Sequence, residues 1–253
     1  MDLSANGVDR TWAVAGVTRI LMDILGGRGS TRASQAAKRA NAFFETSLKR
    51  NPSREPVACA KGCAFCCYMT VTVTAPEIFQ IVNVLRDQYK DDFGTILDRV
   101  RIADEKTRGL TVRERQMAKI PCVLLQDNAC SVYADRPGVC RGLASISADT
   151  CERAYNGDVS GIETPAVWTS LRNAQKQALW AALDASNLPS ESYDFHHGLR
   201  VALENPDGEE RWLKGEDLFA DVARVRLNDP AANAHNRRII DRLIAGATGK
   251  EMA

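Results

Sequence analysis

Cys59-Ala-Lys-Gly-Cys63-Ala-Phe-Cys66-Cys67 decides the reading of this chain. Four further cysteines follow at Cys122, Cys130, Cys140 and Cys151, and none lies outside this segment. Thiolates hold zinc and iron–sulfur clusters better than any other side chain, so such density points to soft-metal ligation. Zinc asks for four thiolates in tetrahedral array, and Cys63-x2-Cys66 supplies a two-ligand knuckle. An iron–sulfur cubane asks for thiolates at short intervals, and Cys59-x3-Cys63-x2-Cys66 offers three. Adjacent Cys66 and Cys67 point to opposite sides if the segment is extended, and are then not expected to share one ion. The expected metal ligands are Cys59, Cys63, Cys66, Cys67, Cys122, Cys130, Cys140 and Cys151. The expected cofactor is an iron–sulfur cluster, of the 4Fe-4S kind, or zinc.

The flanks read as helix. Trp12, Val14, Val17, Ile20, Leu21, Ile24 and Leu25 recur at helical spacing until Gly26-Gly27. An alanine- and arginine-rich helix follows over 30–49, stopped by Asn51-Pro52. The cysteine run is a loop, in which Gly62 and the small residues Ala58, Ala60 and Ala64 permit close backbone approach. Residues 69–74 alternate as a strand does. Thr74-Ala75-Pro76-Glu77 is a capping box that opens a helix carrying Ile78, Ile81, Val82 and Leu85. Helix is expected over 93–119 with a break at Gly109. Asp127-Asn128 then turns a hairpin with a cysteine on each arm, Cys122 and Cys130, over a core Tyr133. Beyond Cys151, helices are expected over 165–185, 193–203, 213–225 and 231–244, with Trp168 and Trp180 in the core.

The expected fold class is mostly α: a helical domain with a loop-rich, cysteine-ligated metal core and a small β-hairpin. One domain is expected over 1–253. Its cysteine-cluster core spans 55–155, flanked by N-terminal helices over 10–50 and C-terminal helices over 164–246.

Composition narrows the function. The 253 residues, 45% hydrophobic and 26% charged, suit a globular protein with a sizeable core. A net charge of +1 gives no field to attract nucleic acid or anionic lipid. Arg19 and Asp23 interrupt the first apolar stretch, so it reads neither as a secretory signal nor as a membrane span. The expected location is therefore the cytoplasm, where structural disulfides are uncommon. His196, His197 and His235 are expected in solvent or capping roles. Arg136 and Arg141 are expected to brace the loop or to offset the charge of the thiolates. Glycine-rich phosphate loops and a Ser-His-Asp arrangement have no support in the sequence.

The pattern Cys59-x3-Cys63-x2-Cys66-Cys67, Pro121-Cys122, Cys130-x2-Tyr133, Arg136-Pro137-x2-Cys140-Arg141 and Cys151 resembles the YkgJ-type cysteine-cluster family, described as zinc- or iron-chelating. The likeness covers about residues 55–155. A similar cluster occurs in flagellin lysine N-methylases, with an iron–sulfur centre. The resemblance implies a protein that holds iron–sulfur or zinc, and the expected function is a cytoplasmic metal-binding protein whose helical flanks bind a protein partner. It also implies an alternative, an iron–sulfur-dependent transferase. The spacing of the first three cysteines matches a radical-SAM loop too, but that chemistry sits on a β/α barrel, and alternating strands are lacking here.

Overall fold

In the computed structural model, the residues described are 4–5, 8–9, 11–158, 160–225 and 230–249. The fold is mostly helical. Its helices are α1 (Thr11–Leu25), α2 (Arg32–Arg50), α3 (Ala75–Gln88), α4 (Phe93–Thr107), α5 (Val112–Ala118), α6 (Gly138–Arg141), α7 (Ala148–Tyr155), α8 (Ala166–Ala185), α9 (Phe195–Glu204), α10 (Gly208–Leu213) and α11 (Pro230–Thr248). The strands are short: β1 (Ser4–Ala5), β2 (Val8–Asp9), β3 (Thr72–Thr74), β4 (Leu125–Gln126), β5 (Ala129–Cys130), β6 (Ser192–Asp194) and β7 (Arg224–Val225).

Helix α8 is the central post, packed against α1, α2, α11 and the short α6. It buries Leu171, Ala174, Ala178, Leu179, Ala182 and Leu183 at helical spacing. Helix α2 meets α1, α3 and α8 through Ala33, Ala36, Ala37 and Ala40, whose small side chains let the helices approach closely. Its N-terminus is capped from a distance, because the buried Glu209 of α10 accepts the Ser34 backbone N–H at 2.7 Å. That carboxylate satisfies an amide with no partner inside its own helix.

Two strand-to-helix junctions lie side by side. Strand β3 runs into α3 and β6 runs into α9, and the strands pair antiparallel with Val73 opposite Tyr193. Thr74 and Glu77 form the expected capping box, in which Glu77 Oε2 accepts the Thr74 N–H at 2.9 Å and its hydroxyl at 2.8 Å. Asp194 caps α9 by accepting the His197 N–H at 3.1 Å. Strand β7 completes this three-stranded sheet on the far side of β6.

Several expectations change here. The stretch 213–225 is not a helix; α10 ends at Leu213 and the chain returns through turns to β7. The 122–133 hairpin exists, with Asp127 and Asn128 at φ 48 and 56, the turn chemistry expected of them. Cys122 nevertheless lies before β4, so only Cys130 sits on an arm. Tyr133 is 65% exposed rather than in the core, with the Arg136 guanidinium 3.8 Å from its ring. A cysteine-ligated metal core is not found: among the described residues, no group of three or more His, Cys, Asp or Glu could hold a metal ion. The core is instead a continuous apolar cluster that includes Val14, Ile81, Leu183, Tyr193 and Leu243. No helix among the described residues is long and apolar enough to cross a membrane.

Candidate functional site: a cluster of free thiols

All eight cysteines are free thiols, and three separate segments bring them together. The first segment is the 59–67 loop, where Gly62 takes φ 91, a conformation that side chains disfavour. It closes in a 3₁₀ turn, Phe65–Tyr68. The second segment is the hairpin with Cys122 and Cys130. Its entry is tied to the first by a backbone bond from Cys122 N–H to Cys67 C=O at 2.7 Å. The third carries Cys140 on α6 and Cys151 on α7. Residue 145 joins it to the loop: Ala58 N–H donates to Ser145 C=O at 2.7 Å, and Ser145 N–H donates to Cys59 Sγ at 3.4 Å.

The thiols fall into two neighbourhoods that meet at Cys66. Cys122, Cys130 and Cys140 are electrostatic neighbours of one another and of Cys66. Cys151 has Cys59, Cys63 and Cys66 around it. Cys66 and Cys67 hydrogen-bond to each other. They do not face opposite sides, because the segment is a 3₁₀ turn rather than the extended chain from which that expectation came.

Burial sets the protonation of this cluster. The hydrogen bond with Cys67, then burial, pushes the Cys66 thiol far up. Burial raises Cys122 to about 11, and lifts Cys130, Cys140 and Cys151 as well. Arg136 pulls Cys66 and Cys130 back down, as positive charge should, but burial outweighs it. Arg141 braces the loop instead: it is buried, donates to the Ala134 carbonyl and pairs with Glu45. Cys59 is the exposed member of the cluster.

This arrangement corrects the metal reading. A metal site needs three or four deprotonated sulfurs converging on a point. Among the described residues, no group of three or more His, Cys, Asp or Glu is placed to do so. With no qualifying group among the described residues, the zinc or iron–sulfur cofactor, the metal partner and the iron–sulfur transferase alternative all fall.

His196 and His197 are also placed differently from the expectation of solvent exposure. His196 is fully buried and His197 nearly so. His196 Nε2 accepts the Val123 N–H at 3.2 Å, and its Nδ1 lies 3.3 Å from the Thr107 hydroxyl. With Nε2 accepting, the proton of the neutral ring belongs on Nδ1. Arg115, itself buried and paired with Asp194 at 3.0 Å, approaches the ring at 3.1 Å. Burial, helped by that guanidinium, lowers His196 to about 3. The ring is therefore a neutral strut that holds the backbone beside Cys122.

A cleft of about 320 Å³ opens next to the cluster, where β3, β6, α6 and α8 meet. Thr72, Thr74, Glu77, Gly138, Arg172, Gln175, Lys176 and Ser192 line it. Glu77 separates the two regions: its Oε1 accepts the Gly138 N–H at 2.8 Å, and it is also an electrostatic neighbour of Cys140. Sequence reasoning missed Ser145, Arg172, Gln175 and Lys176. They are ordinary polar residues with no motif; helical spacing sets Arg172, Gln175 and Lys176 on one side of α8, and the packing of α6 against α8 makes that side a cleft wall.

Comparison with curated proteins and with solved structures gives no match. A family model described as "CxxCxxCC: Putative zinc- or iron-chelating domain" matches residues 58–157. That interval begins one residue before Cys59, includes every cysteine, and ends beyond α7. Residues 58–157 of this chain are therefore a CxxCxxCC domain of the YkgJ type.

Proposed function

We propose that the chain is a thiol–disulfide redox protein of the cytoplasm, with the cysteine cluster as its working part. The observation that carries this reading is one exposed thiol, Cys59, set beside Cys63 and Cys151 at the edge of a buried group of thiols. Reactive cysteines are accessible and have polar neighbours, whereas buried protonated thiols are inert until a partner is oxidised. Free thiols also suit a reducing compartment.

The chemistry balances as follows. The Cys59 sulfur attacks a peroxide, the O–O bond breaks, and the sulfur becomes a sulfenic acid as one oxygen leaves as water or an alcohol. The thiol of Cys151 or Cys63 then displaces hydroxide from that sulfur, forming a disulfide and releasing water. Two thiols are oxidised and one peroxide is reduced. A small dithiol returns the pair to thiols by exchange and carries away the two electrons. The helices outside 58–157 support the cluster as one domain in this reading.

Treatment of the reduced protein with stoichiometric hydrogen peroxide, followed by alkylation and peptide mass mapping, tests the proposal. The first two thiols to disappear are expected to include Cys59, and dithiothreitol should restore them. Cys59→Ser should slow that first loss by about tenfold or more, since the remaining thiols are less accessible. Eight intact thiols after peroxide, or oxidation of Cys59 with no disulfide, would overturn the reading. So would stoichiometric metal in the protein as isolated.

A further inference from the structure

The cleft between the β3–β6 ladder and α8 presents hydrogen-bond donors that the fold itself does not use. One wall is a face of the ladder. Val73 and Tyr193 point into the apolar core, so the alternate residues Thr72, Thr74 and Ser192 face the other way, and all three line the cleft. The Thr74 hydroxyl is taken by Glu77. The Thr72 and Ser192 hydroxyls make no hydrogen bond among the described residues, although Ser192 is only 8% exposed. Their oxygens are not sealed in, as Gln175 Oε1 is, and stay open to an occupant of the cleft.

The facing wall is α8, and its donors are charged. Arg172 is half-buried and has no carboxylate or carbonyl partner among the described residues. A guanidinium withdrawn from water is ordinarily paired with an acceptor. Burial without one lowers this group from its ordinary range. Its nitrogens, like the two hydroxyls, are not sealed in. The stem of the side chain is held in place from below. A Cβ at Gly142 would lie 2.5 Å from Arg172 Cβ, 2.7 Å from its Cγ and 2.9 Å from its Cδ, so three carbons of the stem lie along a bare Cα. Such a stem is ordered before a ligand arrives, which reduces the entropy lost on binding. One helical turn on, Lys176 stands exposed at the rim, over the Trp180 ring at 4.2 Å and without a salt bridge among the described residues. Among the lining residues the opposite charge comes from Glu77 alone, which already accepts from Thr74 and Gly138. Two cations and one engaged carboxylate leave a single net positive charge. Val139 and Leu179 add an apolar side to the same space.

We infer that this cleft binds a small organic acid, a carboxylate that carries a short apolar tail. The carboxylate accepts from the Arg172 guanidinium, with Lys176 and the Ser192 hydroxyl beside it, and the tail lies along Val139 and Leu179. A planar acceptor with two oxygens matches the fork of a guanidinium, and one negative charge matches the net charge of the walls. A phosphate would bring a second negative charge against Glu77 and has no tail to bury. The volume, about 320 Å³, is at the small end of ligand pockets and suits a metabolite rather than a peptide. The inference uses no step of the thiol chemistry and stands or falls separately from it.

Nuclear magnetic resonance titration of the whole protein, following the Val139 and Ser192 backbone amides at constant ionic strength, tests it. The probes are acetate, propionate, butyrate, butan-1-ol and inorganic phosphate. Affinity should rise about threefold or more with each methylene from acetate to butyrate. Butan-1-ol should not bind, and phosphate should bind about tenfold or more weakly than butyrate. Arg172→Gln should weaken butyrate by about tenfold or more, and Ser192→Ala by about fivefold. Val139→Ser, a change at a partly exposed position, should flatten the rise with chain length and leave acetate as it was. The wild-type series decides the matter even if a variant fails to fold. Absence of a saturable shift with butyrate, equal affinity for the three acids, tighter binding of phosphate, or undiminished binding by a folded Arg172→Gln protein would overturn the inference.

Discussion

His196 shows what one buried side chain does to the pH response. Its folded pKa is lowered from an ordinary 6.5 to about 3, because burial and Arg115 both oppose the imidazolium. As pH falls below 6.5, the unfolded chain takes up a proton here that the folded protein refuses. Stability from this residue is therefore complete above pH 6.5, and is lost by up to roughly 1.4 kcal/mol per pH unit as pH falls toward 3. Carboxylates titrate in the same window, so the comparison must be with a variant. His196→Gln keeps an acceptor for the Val123 N–H and has nothing to titrate. Urea unfolding at about pH 7 and about pH 4.5 should show a larger loss for the wild type than for the variant. Equal losses would mean that the ring is charged or accessible in the folded state.

At the scale of elements, the contact of α6 with α8 decides where both the thiols and the cleft sit. Gly142, just past α6, lies against the Arg172 side chain so closely that a Cβ there would be 2.5 Å from Arg172 Cβ. Arg172 Cβ is fixed to its helix and cannot swing away as a side-chain tip could. Gly142→Ala must therefore push α6 from α8, at a cost of about 1–3 kcal/mol. A lowered urea midpoint checks this, and an unchanged midpoint would show that the helices separate freely. The contrast with Gly198 is instructive, since the one close contact of a Cβ there would be with the Ile78 methyl tip, at 2.6 Å. A tip can rotate, so the same close number means less.

At the scale of the molecule, the apolar cluster runs without interruption from Val14 in α1 to Leu243 in α11 and includes Val123, Leu124 and Val132 around the hairpin. Cys122, Cys130 and Cys140 pack against that same cluster. Unfolding should therefore expose the thiols and melt the helices together. In urea, the rate of alkylation of Cys140 and the far-ultraviolet circular dichroism should give coincident midpoints. Thiols that became reactive well before the helices melted would show that 58–157 opens as a unit of its own.

What could be read from the sequence was what near neighbours decide. The Thr74–Glu77 capping box lies within four residues, the Asp127-Asn128 turn within two, and the periodic faces of α1, α2 and α8 within one helix each. The gathering of the cysteines in 58–157 was equally plain, as was the family of that segment. Tertiary structure alone decided the rest. The 3₁₀ turn that brings Cys66 against Cys67, the pairing of β6 with β7, and the burial of His196 beside Val123 depend on partners supplied from elsewhere in the fold. The same holds for the metal reading: spacing counts ligands along the chain, but coordination needs them at one point, and among the described residues no group of three or more could hold a metal ion. Arg172 is the extreme case. Its place in the cleft was set by Gly142, against whose bare Cα its stem lies, and no local pattern connects the two.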